Sequence, residues 1–178
     1  MNCLEIVIKL IGLGAILFAV YKYSKDKKWN RAESSFQFYN DFDSKLECKL
    51  AMFMLDNHEI DFSYKSPLSD EVIKIKYDLS KRHNALSKKE EGLNNEEANI
   101  RFIFDVYIGY LERIFYLHKS GIFKSKDLFF YKYWLDKLIS DDCKDIKEYA
   151  KGNSCGLFIP FLRKYESGIQ RSIKSFID

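Results

Sequence analysis

Residues 94–121 read NNEEANIRFIFDVYIGYLERIFYLHKSG, and this stretch decides the fold. Asn94 and Glu97 have the spacing of a capping box, in which each side chain bonds the other residue's backbone N–H. Ile100, Phe102, Ile103, Phe104, Val106, Tyr107, Ile108, Leu111, Ile114, Phe115 and Leu117 then cover nearly the whole circumference of one long helix. Gly121 is placed to end it. A helix that is apolar all round belongs at the centre of a bundle. Arg101 and Asp105 lie four apart on it. If buried they must pair, because a lone charge in an apolar interior is costly. The pair is read first as an internal salt bridge that fixes helix register, in which case Asp105→Asn should destabilise by leaving Arg101 uncompensated. The second reading is a polar pocket shared with Asp56 or Trp134.

Outward from this helix, the chain of 178 residues has room for one ordinary domain. Apolar residues make up 47% and charged residues 31%, which supports a buried core and excludes a disordered tail. Two prolines and eight glycines are too few for the tight turns of a sandwich or barrel, so an all-β fold is disfavoured. Ser44 and Glu47 have capping-box spacing ahead of Leu46, Leu50, Phe53 and Met54, a helix expected to end near Asp56. The period then changes. Ile60, Phe62 and Tyr64 alternate with polar residues, as do Ile73, Ile75, Tyr77 and Leu79, with a turn over 66–70 between them. This spacing predicts a short hairpin, against an alternative in which residues 70–86 form a helix. Beyond Gly121, a helix is expected from Ser125 with Leu128, Phe129, Trp134, Leu135, Leu138 and Ile139. Another covers 141–151, and a last one carries Pro160 in its first turn with Phe161, Tyr165, Ile169, Ile173 and Phe176 as its stripe.

The N-terminus sets the expected location. Residues 4–23, LEIVIKLIGLGAILFAVYKY, are long enough as a helix to span the ~30 Å hydrocarbon core of a bilayer. Glu5 and Lys9 share a helix face near one end, where they can pair and reach the headgroups. A cleavable signal would need small residues before the cut, and residues 17–19 (LFA) match poorly. Lys22, Lys25, Lys27, Lys28 and Arg31 follow the apolar run against Asp26 alone, while residues 32–178 carry a net charge of −1. Cations after the span predict an outside N-terminus and a cytoplasmic C-terminal domain. The same cations are candidates for binding anionic headgroups. Gly12, Ala15 and Ala19 form a small-residue stripe of the kind that lets membrane helices pack together, a candidate face for self-association, against the alternative that small residues are simply common in membrane helices. The basic excess is too local for a broad nucleic-acid surface, and no nucleic-acid partner is expected. Cys48, Cys143 and Cys155 form no paired framework, which suits a reducing compartment.

The expected class is therefore mainly α: an N-terminal transmembrane helix, then a small helical bundle with a short β-hairpin near 59–80. The division is an anchor at 1–23, a basic juxtamembrane segment and connecting helix at 24–43, and a cytosolic helical domain at 44–178. The order of motifs agrees with this. Glu96–Asp105 (EEANIRFIFD), Leu111-Glu112-Arg113-Ile114, Ser120-Gly121-Ile122-Phe123 and Tyr131-Lys132-Tyr133-Trp134 stand in sequence after Trp29-Asn30-Arg31-Ala32-Glu33 and Met54-Leu55-Asp56. Together they resemble a family of uncharacterised bacterial single-pass membrane-anchored helical proteins. That resemblance supports the architecture and implies no catalytic residue; the expected location is the bacterial inner membrane, with a protein partner not named by the sequence.

Chemistry is sparse. Arg113 and His118 match the Arg-x4-His spacing of HEPN-type ribonucleases, in which imidazole shuttles a proton and guanidinium stabilises the phosphorane. Five residues along a helix, however, place two side chains ~140° apart. The bland reading pairs Arg113 with a carboxylate and leaves His118 at an exposed helix end. Cys143, Cys155 and His118 lack the local ligand pair that zinc sites carry, so no metal is expected. No phosphate-binding glycine loop, nucleophile elbow or His-Glu-x-x-His motif occurs, and no cofactor is expected. The leading functional expectation is a membrane-anchored, cytosol-facing interaction or sensing module without enzymatic activity. The alternative is a HEPN-like ribonuclease effector, of the kind used in phage defence.

Overall fold

The computed structural model describes residues 3–69, 71–153 and 156–177, with side chains described between 12 and 168. Its regular structure is seven α-helices and one two-stranded antiparallel sheet among the described residues, so the mainly helical reading with one hairpin holds. Helix α1 (Cys3–Ser44) is continuous, and the apolar N-terminal run passes straight into the helix marked by Trp29, Ala32 and Phe36. Contacts divide the chain into two compact units, Met1–Tyr39 and Asn40–Asp178.

In the first unit every side chain of residues 12–30 is exposed. Leu13, Ile16, Leu17, Phe18 and Val20 are among them, each more than half exposed. Among the described residues, no helix is long and apolar enough to cross a membrane. The side chains of residues 3–11, the first part of the expected span, lie outside the described residues.

The second unit is built on the hairpin and on α4. Strands β1 (Glu59–Lys65) and β2 (Val72–Asp78) pair with Ile60 opposite Tyr77, Phe62 opposite Ile75 and Tyr64 opposite Ile73. Tyr64, Ile75 and Tyr77 are buried, as period-2 alternation requires of one sheet face. The helical alternative for 70–86 was half right. The strand runs to Asp78, whose side chain then accepts from the Lys81 N–H and starts α3 (Leu79–Ser87). Helix α4 (Asn95–Lys119) opens on the expected capping box, with both reciprocal bonds present. It ends at Gly121, whose φ of +76° is the left-handed conformation that only glycine adopts cheaply. Ile100, Ile103, Phe104, Tyr107, Ile108, Leu111, Ile114 and Phe115 are buried along it. It packs against α2 (Leu46–Asp56), α3, β2 and α7 (Phe158–Ile177). Ser66, fully buried in the hairpin loop, donates to Asn99 Oδ1 at 2.6 Å and ties the loop to α4.

Two local expectations fail. Ser44 does not cap α2. Helix α1 runs through Ser44, whose hydroxyl donates back to Asp41 O, and Lys45 takes the N-cap position with no side-chain bond. Glu47 instead turns inward to accept from the Tyr64 hydroxyl at 3.1 Å. The helix expected from Ser125 begins as a 3-10 segment (Ser125–Tyr131) and becomes α5 only at Lys132–Ile139. Asp127 Oδ2 accepts from the Lys124 N–H and sets that tight first turn. Phe129, read as a core residue, is 74% exposed. Helix α6 (Lys144–Gly152) follows a 3-10 turn at Asp141–Cys143, within a residue of the range expected for it. The start of α7 is held by Glu112, whose Oε1 accepts from the backbone N–H groups of Leu157 and Phe158. A carboxylate there complements the positive end of the helix.

Candidate functional site

No described hydrogen bond or ring contact joins Arg113 to His118, the residues singled out for ribonuclease chemistry. The Arg113 guanidinium lies 5.4 Å from the centre of the Tyr110 ring, not on the carboxylate partner expected for it. His118 Nδ1 is 3.2 Å from the carbonyl of Phe123, and its ring meets Phe161 edge-on at 5.7 Å. Among the described residues no group of histidine, cysteine and carboxylate side chains is arranged for a metal, and Cys155 lies outside them. Cys48 and Cys143 are buried, free thiols, and burial pushes the Cys48 thiol up to about 12, where it is a poor nucleophile. Lys22, Lys25, Lys27 and Lys28 stand exposed on α1, as do Gly12, Ala15 and Ala19, while Arg31 is half-buried.

Arg101 and Asp105 do carry the most structured polar site, but not as the pair the spacing suggested. Among the described residues they form no ion pair. Arg101 reaches off α4 to the C-terminal end of α3, where Nε donates to Ala85 O at 2.7 Å and Nη2 donates to Lys88 O. A cation placed there satisfies carbonyls that a helix end leaves orphaned and complements the negative end of its dipole. The guanidinium also lies 5.6 Å from the centre of the Tyr149 ring on α6. The Tyr149 hydroxyl donates to Asp105 Oδ1 at 2.6 Å, so the two α4 residues share Tyr149 and not a bond. Nor does either reach Asp56 or Trp134. Asp56 accepts from the Tyr133 hydroxyl at 2.6 Å and pairs with Lys137 at 3.2 Å.

Arg101 and Tyr149 line a cleft of about 680 Å³ between the end of α3, the connector after it, α4 and α6. That size lies within the range of small-molecule sites. Its other walls carry His83, Ser87, Lys88 to Glu91, Asp145, Glu148 and Asn153. Several of these are already committed. Lys88 donates to the buried Glu97 at 2.7 Å, and Asp145 neutralises the buried Arg82 through two contacts at 2.9 and 3.1 Å. His83 and Ser87 lie one turn apart on α3, yet no described hydrogen bond joins them as a base and nucleophile would be joined. Among the described residues the cleft presents charged side chains and one aromatic wall. The sequence did mark Arg101. It could not mark Tyr149 or the α3 carbonyls, which come from distant segments.

The changed partnership reverses one expectation. Loss of water around the Asp105 carboxyl raises its pKa above the ordinary aspartate value, outweighing the lowering by Tyr149 and Arg101. A carboxyl with a raised folded pKa contributes stability below its unfolded value, and that contribution is lost as pH rises through the folded value. Asn keeps an oxygen to accept from Tyr149. Asp105→Asn should therefore leave stability within ~0.5 kcal/mol of the parent, with the variant gaining relative to the parent between pH 4 and 7. Urea melts at the two pH values measure this, and a loss of several kcal/mol would restore the ion-pair reading.

Comparison of the chain with protein-family models, with curated proteins and with solved structures gives no match.

Proposed function

We propose that the chain is a helical binding module held at a membrane by the N-terminal part of α1, with its second unit on the cytoplasmic side. The supporting observation is the all-round exposure of residues 12–30. A helix that displays Leu13, Ile16, Leu17, Phe18 and Val20, each more than half exposed, leaves apolar surface uncovered. A bilayer covers such a helix uniformly, whereas a protein groove covers one face. The cations that follow are suited to the headgroups of an anionic leaflet, at roughly 1 kcal/mol each. Their position after the apolar run supports a cytoplasmic C-terminal unit, on the inner membrane of a bacterium if the family resemblance holds. The stripe of Gly12, Ala15 and Ala19 is one face through which two such helices would associate. The polar cleft, with no joined nucleophile and base, favours binding over turnover.

Membrane fractions extracted with alkaline carbonate should retain the full chain, and deletion of residues 1–21 should release it. A reporter fused after Asp178 should be active only in the cytoplasm. Replacing Lys22, Lys25, Lys27, Lys28 and Arg31 by neutral residues should weaken or invert that orientation. Release of the full chain by carbonate, or periplasmic phosphatase activity from the fusion, would remove the anchor or its orientation respectively. Overexpression of the parent and of His118→Ala with a readout of cellular RNA integrity separates the ribonuclease alternative: cleavage by the parent and not the variant would replace the binding reading.

A further inference from the structure

We infer that the cleft between α3, α4 and α6 is a receptor for a small zwitterion of the α-amino acid class, with Arg101 taking the carboxylate. The inference concerns the second unit alone and does not depend on the membrane tether.

Two buried arginines stand on neighbouring helices, Arg82 on α3 and Arg101 on α4. Arg82 and Arg101 are 4% and 9% exposed. Arg82 has a full counter-charge, since Asp145 meets Nε and Nη2 together. Arg101 forms no ion pair among the described residues and feels the Asp105 carboxylate only at a distance. Its bonds go to two carbonyls, and the carboxylates one turn away on its own helix are engaged elsewhere, Glu97 by Lys88 and Asp105 by Tyr149. The negative end of a helix supplies only about half a charge. A buried guanidinium thus neutralised in part is costly, and Arg101 lines an open cleft. A carboxylate arriving from the cleft would complete it by a charge-assisted bond, the strongest kind such a site offers.

The other charges of the cleft decide what that carboxylate is attached to. Setting aside Lys88 and Asp145, which are held by close partners of their own, the lining holds Lys89 against Glu90, Glu91 and Glu148, the last also 3.9 Å from Lys144 on the exposed face of α6. These acids line the same cleft as the guanidinium. Glu90 and Arg101 both act on the charge of Asp105, and Glu148 precedes Tyr149, whose ring faces Arg101. A phosphate, a nucleotide or a nucleic-acid backbone would meet repulsion from three carboxylates. A molecule with one carboxylate and one ammonium group finds a complement for each. The volume leaves room for a side chain beyond the two charged groups.

The experiment is calorimetry on the purified full-length chain in detergent micelles. The probes are the twenty protein amino acids and glycine betaine, with inorganic phosphate and ATP as anionic comparisons. At least one zwitterion should bind one-to-one, and phosphate and ATP should not. Arg101→Gln should weaken that binding by about a hundredfold, as expected when one partner of a desolvated charge pair is removed. Because Arg101 also holds the end of α3, the decisive variant is Glu91→Gln with Glu148→Gln, both exposed positions. That variant should weaken binding by about fivefold while the melting temperature stays unchanged. Absence of binding by every zwitterion, preference for phosphate or ATP, or binding untouched by the glutamate variant would each overturn the inference.

Discussion

Asp145→Ala should destabilise the second unit by about 3–5 kcal/mol, the cost of leaving a buried charge without its partner. Arg82 is 4% exposed and its guanidinium is bound on every side. Nε meets Asp145 Oδ2 at 2.9 Å, Nη2 meets Asp145 Oδ1 at 3.1 Å and the carbonyl of Asp142, and Nη1 lies 3.5 Å from the Tyr77 hydroxyl. One guanidinium thus joins α3, the end of β2 and the turn leading into α6. A domain has only ~5–15 kcal/mol in total, so the variant should unfold at markedly lower urea, and the loss should depend little on salt because the pair is buried. Arg82→Met combined with Asp145→Leu separates the cost of the orphan from the worth of the bond. Removing both charges should recover most of the loss, since a buried ion pair contributes little beyond its apolar replacement. Equal midpoints for the parent and Asp145→Ala would show that the loop bearing Asp142 and Asp145 is not anchored through Arg82.

What could be read beforehand follows from how far apart the interacting residues are in the chain. The capping box of α4, the glycine that ends it and the alternation of the hairpin are local patterns, and each formed as spacing predicts. The failures are also physical. At residue 44 the rule for a helix start competed with the continuation of α1, and continuation won. Across 125–131 the apolar spacing fitted an α-helix, but Asp127 tightened the first turn and left Phe129 outside. Arg101 and Asp105 share a helix face at the backbone, yet an arginine side chain is long enough to leave that face. It found the α3 carbonyls 13 and 16 residues away in sequence. The link between Arg82 and Asp145 spans 63 residues and has no local signature at all. The candidate cleft was legible only as one unexplained charge pair on an apolar helix. Its shape, Tyr149 and the lack of an ion pair at Arg101 needed the fold.

Leu111→Ala should cost about 2–5 kcal/mol, through lost burial and the cavity left behind. Leu111 is fully buried, one turn from Tyr107 and one turn from Phe115. Those two neighbours fix the surroundings on both sides. The Tyr107 ring packs 5.8 Å from Phe42, and Phe115 stacks on Phe161 of α7 at 3.8 Å with the rings 11° from parallel. Aromatic contacts of this kind hold the backbone apart, so the site cannot collapse to fill a missing isobutyl group. The cost should therefore fall in the upper part of the range, since incomplete relaxation is what enlarges the penalty. In a chain of this size the melting temperature should drop on the order of 10 °C. Tyr116→Ala is the comparison on the same helix, because Tyr116 is 60% exposed and its removal should change stability by less than about 0.5 kcal/mol. The ratio between the two variants carries the argument. A large loss at Leu111 beside a negligible one at Tyr116 means that α4 stabilises the unit through its buried face and holds Arg101 and Asp105 on a rigid support. Equal small losses would mean that the core tolerates a hole at its centre, and a cleft built on a helix that loose would not keep its charges in place.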